Sequence, residues 1–310
     1  MTKRLLVTYG VMGVLELTLL AVSCVLHAPP ATACIEQHQT PHTPLPTVLA
    51  AQQVGPHFSG DSVDVVLTAE AAYAWDVSSG ASLYEKHSDT RRPVASITKL
   101  LSAVTAVDLL PPEALTVVSS TAARHARLGA NVKLPAGHEV TVGQLLSASL
   151  IASANDAMVA LAEAVKGSEP AFVDAMNQRA QQLGLVNTVA SNATGLSGGE
   201  QFSTARDVSR LMTLAYKHPL LRPLLAAPNG TLRTEQGVTR HYESTNKLLK
   251  TYVPVQAAKT GYTVEAGQNL VIISEGAQGQ LIGAVILGSE QRFQDMKVLL
   301  EWVGRNYSWN

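Results

Sequence analysis

Pro93-Val94-Ala95-Ser96-Ile97-Thr98-Lys99-Leu100-Leu101 breaks the chain at a proline and then opens an apolar helix. Leu100, Leu101, Val104, Val107 and Leu110 keep helical spacing until Pro111-Pro112 ends it. At a helix start, residues i and i+3 share a face, so the Ser96 hydroxyl and the Lys99 amine can meet. A serine hydroxyl is a weak nucleophile until a base takes its proton. A lysine becomes that base when burial or a neighbouring cation lowers its pKa. The helix N-terminus adds backbone N–H groups and a favourable dipole near a developing oxyanion. Alone, a serine and a lysine at this spacing read as a cap and a solvated charge. Ser244-Thr245-Asn246-Lys247 fits the same Ser-x-x-Lys pattern, and Ser-x-Asn too. It opens no apolar helix and reads as a chance match.

On either side of this stretch the periodicity changes. Upstream, Ala71 to Asp76 and Ser82 to Glu85 read as strands around the Ser79-Gly80 turn, with order beginning near Val63. Downstream the pattern is helical. Thr141 caps a helix through Ile151, another runs from about Asp156 to Val165, and a third follows Pro170 and stops at Gly184. Asn192 to Gln201 is a Gly- and Asn-rich loop, and Thr204 caps a helix reaching about Lys217. The last third returns to strands at Val253 to Lys259, Gln268 to Ser274 and Leu281 to Leu287. The final two form a hairpin, and a helix follows over Gln291 to Val303. This order predicts an α/β fold of the α+β type: one antiparallel sheet built from both chain ends with an inserted helical lobe. The catalytic domain would span 61–310, with the lobe over about 112–225. The seam between sheet and lobe is the natural cleft.

The N-terminal part differs. Lys3 and Arg4 precede an apolar run to about Val25, broken only by Glu16, and then Ala31-Thr32-Ala33. Residues 1–33 read as a secretory signal, with an uncleaved membrane anchor as the alternative. Residues 34–60 are rich in Pro and Thr and read as a linker. His38, His42 and His57 fall there, where a flexible tether would not hold a metal geometry. Of the two cysteines, Cys24 lies in the apolar run and Cys34 just after the cleavage pattern, so no disulfide is expected. Cys34 as a lipidated N-terminus is the lesser reading. The formal net charge of −1 offers no positive field for nucleic acid, which is excluded as a partner.

Two further motifs carry chemistry. Ser153-Ala154-Asn155 lies between two helices. Its hydroxyl could relay a proton, and its amide can both donate to and accept from a peptide. The competing reading is a helix cap. Lys259-Thr260-Gly261 ends an apolar strand. A lysine, a hydroxyl and a residue without a side chain suit docking of a carboxylate against a strand edge. The competing reading is a strand end with an exposed lysine.

In the order Ser-x-x-Lys, Ser-x-Asn, Lys-Thr-Gly, each on the element its role needs, these motifs resemble the penicillin-recognising serine enzymes. Within them the chain is similar to the low-molecular-weight D-alanyl-D-alanine carboxypeptidases and endopeptidases, peptidase family S11. The likeness covers about Val63 to Val303. It includes Phe172-Val173 with Met176-Asn177, Thr194-Gly195-Leu196, Ser203-Thr204-Ala205-Arg206-Asp207, and Lys259 through Thr263 with Gly267 and Asn269-Leu270. The resemblance implies a β-lactamase/transpeptidase-like fold and a serine carboxypeptidase acting on peptidoglycan stem peptides ending in D-Ala-D-Ala. β-Lactam antibiotics would be its covalent inhibitors. It implies Ser96 as nucleophile, Lys99 as its base and Ser153 as proton relay to the leaving D-alanine. Asn155 would bind the acyl-side amide, Lys259 and Thr260 the terminal carboxylate, and Arg292 would face that pocket. Gly261 allows close approach, and the N–H groups of Ser96 and Tyr262 would form the oxyanion hole. No metal or organic cofactor is implied, and the location is the periplasm or another extracytoplasmic cell-wall space.

There are departures. Tyr262 stands where some relatives carry a His, and Ala258 where Ile or Val is common. The chain stops after the catalytic domain, nearer the shorter endopeptidases, so cross-bridge cleavage stays open beside D-alanine removal. A class A β-lactamase needs a Glu-Pro-x-x-Asn loop. Glu169-Pro170 has no Asn at the required place and begins an amphipathic helix. A non-catalytic peptidoglycan-binding homologue is the remaining alternative, against which the full set of catalytic side chains speaks.

Overall fold

Strands with apolar residues on both faces must be covered on both sides, and that decides the layers here. The computed structural model describes residues 55–60 and 64–309. The expected signal over 1–33 and the linker up to 54, with Cys24, Cys34, His38 and His42, lie outside the described residues. The chain runs through β1 (Pro56–Phe58), β2 (Ala71–Asp76) and β3 (Ser82–Lys86). A 3-10 turn, Ala95–Thr98, passes directly into α1 (Lys99–Val107). The lobe follows with β4 (Leu115–Val117), α2 (Ser120–Arg124), β5 (Glu139–Thr141), α3 (Val142–Ile151), α4 (Asn155–Lys166) and α5 (Glu169–Gln182). Then come α6 (Ala205–Lys217), α7 (Leu221–Ala226), β6 (Asn229–Arg233) and β7 (Thr239–Glu243). The chain closes with β8 (Val255–Thr263), β9 (Gly267–Glu275), β10 (Leu281–Ser289), α8 (Arg292–Asn306) and β11 (Tyr307–Trp309).

The main sheet has the order β3-β2-β10-β9-β8, so both chain ends contribute to it as expected. All its pairs are antiparallel. Ala74, Ala284, Ile272 and Ala258 form one row across β2, β10, β9 and β8 and face α8, against Met296, Leu299 and Val303. The next row is Tyr73, Val285, Val271 and Lys259. Its apolar members belong to the core shared with α1, α3 and α6. Side chains alternate along a strand, so this register points Lys259 at the helical side. A slip of one residue would turn it toward α8.

Helix boundaries follow local chemistry. Thr141 and Gln144 form a reciprocal capping box at α3. Thr204 accepts from the Asp207 N–H at 3.0 Å at α6. The start of α8 is fixed from outside: the Asp295 carboxylate accepts from Thr68 Oγ1 at 2.7 Å and from the Ala69 N–H at 2.9 Å.

At the end of the segment that reads as a linker, Pro56–Phe58 pairs with Tyr307–Trp309, and Phe58 packs edge-on to Tyr307 at 5.4 Å. Three residues have too short a run for periodicity, and the partner lies at the far end of the chain. The lobe is also more than helical. It carries the pairs β4–β5 and β6–β7, and the second lies beyond residue 225 and packs on α3.

Candidate active site

Ser96 sits in a tight turn preceded by a left-handed residue, Ala95, with φ of 49°. Two glycines press on that turn. A Cβ on Gly261 would lie 2.6 Å from Val94 O and 3.2 Å from Ser96 N. One on Gly195, itself at φ of 77°, would lie 2.0 Å from Ala95 O. The end of β8 therefore reaches the backbone of Ser96 because Gly261 has no side chain. Gly195→Ala is expected to cost about 2–4 kcal/mol of stability, from a forced φ and a backbone collision together. An unchanged urea midpoint would contradict this packing.

Lys99 begins α1 fully buried. Its Nζ lies 2.9 Å from Ser96 Oγ, 2.7 Å from Asn155 Oδ1 and 2.8 Å from Thr194 O. The Asn155 amide is oriented, because its Nδ2 donates to Leu128 O. Oδ1 and the Thr194 carbonyl can only accept, so the two N–H bonds of a neutral amine go to them. The lone pair is then left for the Ser96 hydroxyl. The Thr194 carbonyl is presented by a braced loop: Asn192 Oδ1 accepts from Gly195 N at 2.7 Å, and Glu169 Oε1 from Ala193 N at 2.9 Å. Glu169 thus serves the loop from the first turn of α5.

Ser153 is held left-handed, with φ of 60°, and is nearly buried. Its hydroxyl accepts from Lys259 Nζ at 2.8 Å, and the same amine donates to Thr260 O at 3.0 Å. Neither Ser153 nor Asn155 caps α4, whose N-cap is Ala154 without a side-chain bond. Lys259 is 1% exposed, against the solvated strand end of the competing reading. Arg292, first in α8, donates to Gly261 O at 2.8 Å and lies over the Phe293 ring. Tyr262 is 60% exposed, so its side chain stands at the mouth while its backbone belongs to β8.

Burial pushes Lys99 well below the ordinary lysine range, and the Lys259 charge pushes it further, against the pull of the Asp156 carboxylate. Burial, and then the Arg292 charge, lowers Lys259 to about 7. The folded protein therefore releases this proton before the unfolded chain does. Between pH 7 and the ordinary lysine value the unfolded state binds more protons, so stability rises with pH across that window. We expect the urea midpoint to climb from pH 7 to pH 9 and this slope to flatten in Lys259→Met. A parallel slope in the variant would show that Lys259 is not its source.

Several participants have no motif. Asp156 is fully buried and accepts from the N–H of Leu134 at 3.0 Å, while Asn155 N–H donates to Ala130 O at 2.8 Å. Together they dock the 128–134 segment against the start of α4. Adjacency to Asn155 was the one available signal for Asp156. The Thr194 and Leu128 carbonyls had none, since a backbone acceptor has no residue type. The chance match at Ser244 is also informative. Ser244 Oγ accepts from Asn246 N at 3.2 Å, and Lys247 is exposed, so no serine–lysine pair forms. Thr245 between them reaches Thr260. A cavity lined by Pro254, Glu275 and Gly304 opens at the other end of the sheet and holds none of the motif residues. No cluster of three or more His, Cys, Asp or Glu that could hold a metal occurs among the described residues.

The family described as D-alanyl-D-alanine carboxypeptidase, peptidase S11, matches residues 59–291. The chain is 31% identical over 233 residues to the D-alanyl-D-alanine carboxypeptidase DacF of Bacillus subtilis, covering 74% of this chain and 60% of that protein. It is 32% identical over 244 residues to a D-alanyl-D-alanine endopeptidase of Pseudomonas aeruginosa, covering 76% of this chain and 77% of that one. The crystal structure of the Streptomyces K15 DD-transpeptidase superimposes with a TM-score of 0.73 at 27% identity, over 78% of this chain and 99% of that one. The β-lactamase/transpeptidase-like arrangement expected from the motifs is the one present. The matched region spans about three fifths of the Bacillus subtilis protein's length.

Proposed function

This chain belongs to the D-alanyl-D-alanine carboxypeptidase family, peptidase S11, and we propose that it removes the terminal D-alanine of peptidoglycan stem peptides through an acyl-enzyme on Ser96. The observation that carries this is a pair of buried amines, each on a serine hydroxyl: Lys99 on Ser96 at 2.9 Å and Lys259 on Ser153 at 2.8 Å. Two such amines cannot both be charged cheaply. Lys99 neutral and Lys259 cationic is the division of labour that chemistry needs.

Ser96 Oγ attacks the carbonyl carbon of the penultimate D-alanine as its proton passes to Lys99 Nζ. The oxyanion forms against the N–H groups of Ser96 and Tyr262, brought together by the glycine at 261. The C–N bond breaks as Ser153 gives its proton to the leaving nitrogen and Lys259 resupplies Ser153; the proton held by Lys99 then restores the Lys259 charge and leaves Lys99 neutral. Water then attacks the ester, with Lys99 again the base. Asn155 uses one N–H and one lone pair in the site, leaving one of each for the acyl-side amide. The departing carboxylate lies toward Lys259, Thr260 and Arg292. Penicillins, which present a strained amide and a carboxylate, would acylate the same serine. Export to the cell-wall space rests on the N-terminal pattern.

Cross-bridge endopeptidase action is the second reading, supported by the likeness to the Pseudomonas aeruginosa endopeptidase. Purified protein incubated with D-Ala-D-Ala muropeptides and with cross-linked dimers separates the two. Loss of one alanine marks the carboxypeptidase and monomers from dimers the endopeptidase. Neither product, with no penicillin adduct, would overturn the proposal.

A further inference from the structure

The Ser244-Thr245-Asn246 segment lies between β7 and the 3-10 turn Lys247–Lys250. Thr245 Oγ1 stands 2.6 Å from Thr260 Oγ1. Its backbone N–H donates to Ile151 O at 3.2 Å, at the end of α3 and two residues before Ser153. The neighbouring Ser244 N–H is tied to Pro228 O at 2.8 Å, and Asn246 Oδ1 accepts from Leu248 N at 3.1 Å. Thr245 is thus clamped on both sides and bridges the loop of Ser153 to the strand of Lys259.

Two hydroxyls at this distance share one proton between them and direct the other outward. We infer that Thr245 is a positioning residue for the carboxylate end of the substrate: it donates to Thr260 and thereby turns the Thr260 proton toward the incoming carboxylate. This rests on the proposed reading of the site. Thr260 is 4% exposed and its carbonyl is held by Lys259 Nζ at 3.0 Å, so its backbone is not free to compensate. Without the Thr245 hydroxyl nothing donates to Thr260 Oγ1, and the Thr260 O–H is no longer held toward the substrate. Val at 245 keeps the shape and removes the hydroxyl; Ser keeps the hydroxyl.

The test compares acylation by benzylpenicillin with acylation by its methyl ester, which masks the carboxylate, followed by intact-protein mass. Thr245→Val is expected to slow the acid about tenfold and leave the ester rate unchanged, while Thr245→Ser stays near wild type. Equal slowing of acid and ester would mark a merely structural residue and overturn the inference, as would an unchanged acid rate. If Thr245→Val does not fold, judged by its thermal melt, Thr245→Ala carries the same comparison. Absence of any adduct on the wild-type protein would instead overturn the reading of Ser96, and the inference with it.

Discussion

Ser96→Ala is expected to leave a folded protein that forms no covalent adduct with a fluorescent penicillin. Its peptidase turnover should fall by about ten-thousand- to million-fold, the range seen when a nucleophile that works as a unit with its base is removed. The size of the effect follows from the lack of a substitute. Ser153 is the only other motif serine near the chemistry, and its hydroxyl is engaged by Lys259 at 2.8 Å. No base of its own faces it with a free lone pair. Ser244→Ala is the matched control: its hydroxyl serves a turn, 3.2 Å from Asn246 N, and labelling should be unchanged. Labelled Ser96→Ala, or unlabelled Ser244→Ala, would sink the assignment.

Lys99→Met should lower the rate of acylation by about a hundred- to ten-thousand-fold, the span of general-base contributions. The pH profile is more telling than the rate. In the wild type, acylation rises as pH passes upward through the depressed pKa of Lys99, because only the neutral amine can take the Ser96 proton. It then falls as Lys259, lowered to about 7, loses its charge. In Lys99→Met the first limb disappears, and residual acylation climbs with hydroxide. A variant that keeps the wild-type acid limb would assign that limb to another group. The substitution also removes a fully buried amine but strands two acceptors, Asn155 Oδ1 and Thr194 O. Stability should therefore change little while acylation collapses.

Much of the fold is legible in local periodicity. The strands at Ala71–Asp76 and Leu281–Ser289 and the caps at Thr141 and Thr204 follow from short-range patterns and local hydrogen bonds. What escapes has no local signal. The β1–β11 pair joins residues from opposite ends of the chain, and β6–β7 is a polar hairpin with one buried side chain per strand. The site divides the same way. Ser96, Lys99, Ser153, Asn155, Lys259 and Thr260 are all legible as motifs, and the folded chain places Lys99 on Ser96 and Asn155, and Lys259 on Ser153 and Thr260. Asp156 and Thr245, and the carbonyls of Thr194 and Leu128, came only with the fold.

Returned to the stretch at Ser96, the division has a physical cause. A serine and a lysine three apart at the head of an apolar helix meet wherever that helix forms, because helical geometry is local. That this hydroxyl and this amine are neighbours, and which residue types accompany them, is therefore already local information in the chain. The sequence by itself could not determine that the pKa of this amine is depressed, or where the amine is aimed. That depends on complete burial, on the Lys259 charge, and on acceptors 56 and 95 residues away. Ser244 shows the other side of the same rule. Its pattern is as good locally, but tertiary packing leaves Lys247 in water and turns the intervening Thr245 toward Thr260. Desolvation and long-range hydrogen bonds are properties of the assembled chain, and they separate the two serines.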